Sequence, residues 1–215
     1  MKYFSIEELA KSATAERLAI DNTPPRAAQR MLTILVEQLL DPIRRRYGAP
    51  IIVTSGYRSP ALNTAVGGVA NSHHIVGCAA DIKGTEPPSN LPPYGEALQA
   101  SLQNISGEHP EGAPHRGGAV QRTEGVCRGR AFNLALFHLI IQMQREGAIR
   151  FTQLIAEKDY RWLHISYVPG MLRNQVIDVN TQINNDANVN DNQPSGSQQL
   201  TSALSLSLRD YQDSG

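Results

Sequence analysis

Residues 72–82 read Ser72-His73-His74-Ile75-Val76-Gly77-Cys78-Ala79-Ala80-Asp81-Ile82. From Cys78 to Ile82 the run is apolar except for one carboxylate, which predicts a largely buried strand. A carboxylate flanked by Ala and Ile is not stable there unpaired, so Asp81 requires a cation or hydrogen-bond donors. Gly77 permits a tight turn ahead of the strand, and such a turn brings the His74 imidazole back over Asp81. The small side chains of Ala79 and Ala80 leave room beside it. Cys78 lies an odd number of residues from Asp81 and so faces the other side of the strand.

A second strand supplies a complement. In Trp162-Leu163-His164-Ile165-Ser166-Tyr167, alternation puts Trp162, His164 and Ser166 on one face and the larger apolar residues on the other. Two imidazoles and a carboxylate, His74, His164 and Asp81, form a three-donor set suited to one catalytic zinc ion with a position left for water. Spacing alone equally allows hydrogen-bonded core histidines, with Asp81 as a cap or an ion-pair partner. Hydrolysis at such a metal needs a general base. Phe151–Ala156 and Trp162–Val168 read as the two strands of a hairpin. Whether its loop has two or four residues, Glu157 falls on the face of His164. Asp159 has the same parity and is the alternative base.

Outward from these strands, Ser5 and Glu8 form a capping box that opens a helix over 6–20. Thr23 then caps a second helix with Pro24 at its first position. Met31, Leu32, Ile34, Leu35, Leu39 and Leu40 recur at helical spacing, Pro42 is expected to kink or end the helix, and Gly48 stops it. Ile51–Thr54 is a β-branched strand and Ser59–Val66 a brief helix broken by Gly67-Gly68. Phe132–Arg145 is an apolar helix ended by Gly147. Residues 84–130 read as one long loop with a weak amphipathic piece near 95–105 (Leu98, Leu102, Ile105), of a length found in functional or disordered loops. From 178 the chain is rich in Asn, Gln, Ser and Asp, too polar to order itself, although Leu200–Leu208 could dock on a partner. The expected division is a domain at 1–177 and a tail at 178–215. His73 is expected to be an exposed neighbour, His109 and His115 to be solvated, and His138 to be structural.

Composition narrows the classes. The 215 residues are 40% hydrophobic and carry 20 basic and 20 acidic side chains, for a net charge of zero. No overall field favours nucleic acid or an anionic membrane, and no apolar run is long enough for a membrane span. The opening MKYFSIEELA lacks the basic-then-apolar layout of a signal peptide. Cys78 and Cys127 are expected to be free thiols.

The string Ser72-x-His74-x-x-Gly77-x-Ala79-x-Asp81, followed by Trp162-x-His164, resembles the zinc D-alanyl-D-alanine carboxypeptidases. Their fold is shared by the vancomycin-resistance D,D-dipeptidases, phage L-alanyl-D-glutamate endopeptidases and the Hedgehog signalling domain. Upstream, Ser55-Gly56-Tyr57-Arg58-Ser59, Leu62-Asn63 and Gly67-Gly68 are similar to that family's lead-in. The resemblance spans about 3–83 and 131–176. It implies an α+β fold, with a small, mainly antiparallel sheet, packed helices and a metal cleft over the sheet. It also implies zinc held by His74, Asp81 and His164, and Arg58 reaching the substrate as a catalytic and binding group. Ser72 and Trp162 would contact substrate. The substrate implied is the stem peptide of bacterial peptidoglycan, cut in carboxypeptidase or endopeptidase fashion by a monomer. Many relatives carry their acid three residues before the last His, where this chain has Arg161. Others place it after a Gln-Leu-Ile run, here Gln153-Leu154-Ile155-Ala156-Glu157, which keeps Glu157 as base. A wall substrate without a signal peptide favours a phage lysis or virion protein. The alternative is a non-catalytic, zinc-containing wall-binding or phage structural module.

Overall fold

The computed structural model describes residues 1–87 and 119–182. In chain order the elements are α1 (Ile6–Ala10), α2 (Ala13–Arg17), α3 (Arg26–Leu35), a π-helical turn (Val36–Leu40) and α4 (Asp41–Tyr47). There follow β1 (Ile51–Ser55), α5 (Pro60–Ala65), β2 (Ala79–Gly84), α6 (Ala119–Arg145) and β3 (Gln153–Ala156). The last are a 3-10 turn (Lys158–Tyr160), β4 (Leu163–Ser166), β5 (Gln175–Asp178) and α7 (Val179–Gln182). The fold is α+β, as expected. Its five strands lie in the order β1-β2-β4-β3-β5.

Parity divides the sheet into two faces. Ala80, Ile82, Leu154, Ala156, Leu163 and Ile165 are buried in one cluster with Leu32, Leu35, Leu39 and Leu40 of the α3 region and Leu136, Leu139 and Ile140 of α6. Complete burial of each such Leu or Ile contributes roughly 1.5–3 kcal/mol. The alternate residues, Asp81, Ile155 and His164, point to the other face. The pairing is antiparallel except between β3 and β5, which run parallel. β5 was not expected from the sequence: Gln175-Val176-Ile177-Asp178 has only two apolar residues, enough for an edge strand but a weak signal for one. The expected division at 177/178 falls inside this strand.

Several local expectations are corrected. The helix expected over 6–20 is two short helices, because Lys11 is extended and Ser12 recaps the chain by accepting from the Ala15 amide. The second helix begins at Arg26 after Pro25. Pro24 cannot be helical because it precedes another proline, which forces it into extended backbone, and the Thr23 amide donates instead to Asp21 Oδ1 at 2.8 Å. Pro42 neither ends nor interrupts the path. The Asp41 amide bonds Val36 O five residues back, and this π turn leaves Pro42 in the first turn of α4, where its missing donor costs least. Residues 119–130, expected as loop, are helical: Gly125 and Gly129 lower propensity without breaking the helix. Residues 88–118, including His109 and His115, and the polar tail from 183 lie outside the described residues.

The chain on either side of 88–118 is tied together. Tyr47 OH donates to Thr85 O at 2.6 Å and to Phe132 O at 3.4 Å, and the Gly84 amide donates to Asn133 Oδ1 at 2.8 Å.

Candidate metal centre and active site

Sheet register assembles the site. Asp81 on β2 is directly opposite His164 on β4, and Ile155 on β3 is opposite His164 from the other side. Opposed residues in antiparallel strands share a face with close Cβ atoms, so strand pairing alone brings together two residues 83 positions apart. His74 arrives from the loop before β2. Gly77 makes the predicted turn with φ of +75°, and a Cβ there would lie 2.5 Å from Ala28 O. Only glycine fits that close approach.

The three donor atoms form a nearly equilateral triangle. His74 Nε2 is 3.2 Å from Asp81 Oδ1, His164 Nδ1 is 3.0 Å from Asp81 Oδ1, and the two nitrogens are 3.2 Å apart. Tetrahedral zinc with bonds of about 2.0–2.1 Å holds its ligand atoms roughly 3.3 Å from one another. The triangle therefore fits one such ion with little movement, and these residues could hold a metal. Orientation is set behind the donors. His74 Nδ1 lies 2.6 Å from Gly56 O, which assigns its proton to Nδ1 and leaves the Nε2 lone pair facing Asp81. Gly56 sits so close to helix α1 that a Cβ would be 2.2 Å from Leu9 O.

Burial lowers the pKa of His74, only partly opposed by its hydrogen bond and charge interaction with Asp81. Burial alone would raise the Asp81 carboxyl. Contact with the two imidazoles, led by the hydrogen bond from His164, outweighs it and holds the group well below the usual carboxylate range. Asp81 is thus held as the anion, the form in which a carboxylate binds a cation.

Asp81 has a further partner. Its Oδ2 accepts from Arg58 Nη2 at 2.6 Å, and Arg58 Nε donates to Ser55 Oγ at 2.8 Å. The resemblance implies that this guanidinium reaches substrate; in the fold these two N–H groups are directed at Asp81 and Ser55.

His164 opens onto a cleft of about 580 Å³ whose walls include Ser72, His73, Gln153, Glu157 and Arg173. Glu157 lies on the His164 face, as parity predicts. Its amide donates to Trp162 O at 3.2 Å, so the hairpin uses the four-residue loop of the two registers considered. Asp159 turns away, with positive φ, to pair with Arg130 at 3.6 Å. Arg161 is exposed, with its guanidinium 5.7 Å from the Trp162 ring centroid. Ser72 borders the cleft and accepts the His74 amide at 3.4 Å, whereas Trp162 does not line this cleft.

His73 is half-buried on the cleft wall rather than exposed, and burial, with the charges of His164 and His74, brings its imidazole down to about 4. His138 is exposed on α6, against the edge of Phe137, rather than in the core. Cys78 is a free, buried thiol on the opposite side from the donors, packed with Val168 and Met171. The sequence also gave no hint of Arg173. It enters the cleft just before β5, and among the described residues it has no carboxylate within ion-pair distance.

The fold and donor set thus define a mononuclear metal-centre candidate over a mixed sheet. A family model described as Peptidase M15 matches residues 2–104, and over that stretch the chain is similar to this peptidase family. The matched stretch contains Arg58, Ser72, His74 and Asp81; Glu157 and His164 lie beyond it. No curated protein and no solved structure matches the chain. Among the described residues no helix is long and apolar enough to cross a membrane.

Proposed function

We propose that the protein is a zinc metallopeptidase that hydrolyses peptide bonds in the stem peptides of bacterial peptidoglycan, with His74, Asp81 and His164 as the metal ligands. The observation that supports this most is the donor triangle, with sides of 3.0–3.2 Å, beside a cleft lined by Glu157. When bound, zinc supplies Lewis acidity, polarising a carbonyl and making a water acidic enough to attack near neutral pH. Glu157 acts as general base on the attacking water and returns the proton to the leaving amine. Gly56 O keeps the His74 ring in the tautomer that presents Nε2. Ser72 steadies the His74 loop and meets the substrate at the cleft wall. Arg173 gives the cleft a fixed positive charge, which suits the free carboxylates of a wall peptide.

The test is mass spectrometry of fragments released from purified peptidoglycan by the zinc-loaded protein, alongside His164→Ala. Fragments from the wild type alone are expected, and their masses name the bond and so separate carboxypeptidase from endopeptidase action. Wild-type protein that pellets with the wall yet releases nothing would overturn the reading in favour of a binding module.

A further inference from the structure

We infer that Arg58 is a positioning residue for the metal ligand Asp81, acting through the carboxylate rather than on substrate. This rests on the metal-centre reading above. The two carboxylate oxygens have separate duties. Oδ1 faces His74 and His164 at 3.2 and 3.0 Å, while Oδ2 is taken by Arg58 Nη2 at 2.6 Å. A carboxylate with one oxygen held in this way offers a cation only the other. Asp81 is therefore a one-oxygen ligand, and a coordination position remains for the reacting groups.

Arg58 is built into this place. Register along β1 and β2 pairs Val53 with Ile82 but Ser55 with Asp81, leaving Thr54 as an extra residue. A bulge of this kind changes which side chain shares a face with the partner strand. It puts Ser55, not Thr54, on the face of Asp81, and Ser55 Oγ accepts Arg58 Nε at 2.8 Å. The Arg58 amide donates to His74 O at 3.2 Å, which ties the same residue to the loop of a second ligand. The Arg58 side chain is 18% exposed and that of Asp81 11%, so the pair is sheltered from competing water. The planar fork of guanidinium suits two fixed acceptors; a lysine ammonium is a point charge on a flexible stem and does not.

Charge and position predict opposite results. As a like charge near the metal, Arg58 would weaken zinc binding, and its removal would tighten it. As a positioning group, its removal costs affinity, about 10–100-fold for an outer-shell partner of a metal ligand. The experiment is zinc competition against a chromogenic chelator for wild type, Arg58→Ala, Arg58→Lys and Ser55→Ala, with thermal unfolding in excess chelator to verify each apo fold. Cobalt-substituted protein adds a spectroscopic readout. The expected result is a loss of 10–100-fold in Arg58→Ala, with weaker cobalt d–d absorption as Asp81 engages through both oxygens and coordination number rises. Arg58→Lys should fall between, and Ser55→Ala should lose about threefold to tenfold as a milder version of the same effect. Unchanged or tighter zinc in both Arg58→Ala and Ser55→Ala would overturn the inference while leaving the peptidase reading intact. A wild type that takes up no zinc would overturn both.

Discussion

The two sides of the cleft are built differently. On the β2 side every functional group is tied at both ends: His74 to Gly56, Asp81 to Arg58, Arg58 to Ser55, all at 2.6–2.8 Å and largely buried. On the β3 side Glu157 directly follows a four-residue strand and lines the cleft. There it is the backbone that is fixed. Asn180 Nδ2 donates to Glu157 O at 3.3 Å, Asn180 Oδ1 accepts the Asp159 amide at 2.5 Å, and Asn133 Nδ2 donates to Tyr160 O at 2.8 Å. On the proposed function this is the expected division: a metal ligand must not move, whereas a base that receives and returns a proton needs freedom at its tip and constraint at its root.

The contrast can be broken from either side. The largest effect is expected on the tied side: Asp81→Ala or His164→Ala should reduce bound zinc, measured by elemental analysis, from one equivalent to near zero, and abolish hydrolysis. On the open side, Glu157→Gln should keep the zinc and lose about 10²–10⁴-fold in kcat. Full activity in that variant would remove Glu157 as base. Gly77→Ala should destabilise the fold by about 1–3 kcal/mol, because it forces a side chain into positive φ and against Ala28 O, and this would appear as a lower Tm. Asn180→Ala should leave zinc affinity unchanged and lower kcat a few-fold. A zinc loss in that variant would show that the two sides are not separable.

The smallest expected effect concerns Cys78. Burial pushes its thiol up to about 12, so fewer than about one thiol in a thousand is ionised at pH 8. Peptide-mapped alkylation should leave Cys78 unmodified in the native protein and label it after denaturation. The same shift has a consequence for stability. Above the ordinary thiol value of 9.0 the unfolded chain gives up this proton first, so the contribution of the neutral thiol is complete below pH 9 and is eroded as pH rises toward 12.

The candidate donors were legible as a cluster because their signal is local and periodic: an acid in an apolar strand, a glycine turn before it, and parity that put Glu157 and His164 on one face. Helices α1 and α3 were legible in kind but not in boundary, since a serine cap and a double proline decide their ends at the level of single residues. Other features depend on three-dimensional pairing. The direction of Arg58 follows from a one-residue bulge at Thr54, which no composition or period announces. The burial of His73 depends on the wall opposite it. β5 carries too few apolar residues to stand out, and it forms because the edge of β3 offers it a template.

The ties across Tyr47 and Asn133 have a consequence for the history of the chain. They hold the chain that leaves β2, at Gly84 and Thr85, against α6 at Phe132 and Asn133, so two points nearly fifty positions apart in the sequence are fixed together. Each doubling of such a span costs only about 0.6 kcal/mol in closure entropy. That junction is therefore a natural graft point. Sequence between the two tied points can change in length while Asp81 and His164 stay in register, and an engineer could splice a foreign module there on the same terms.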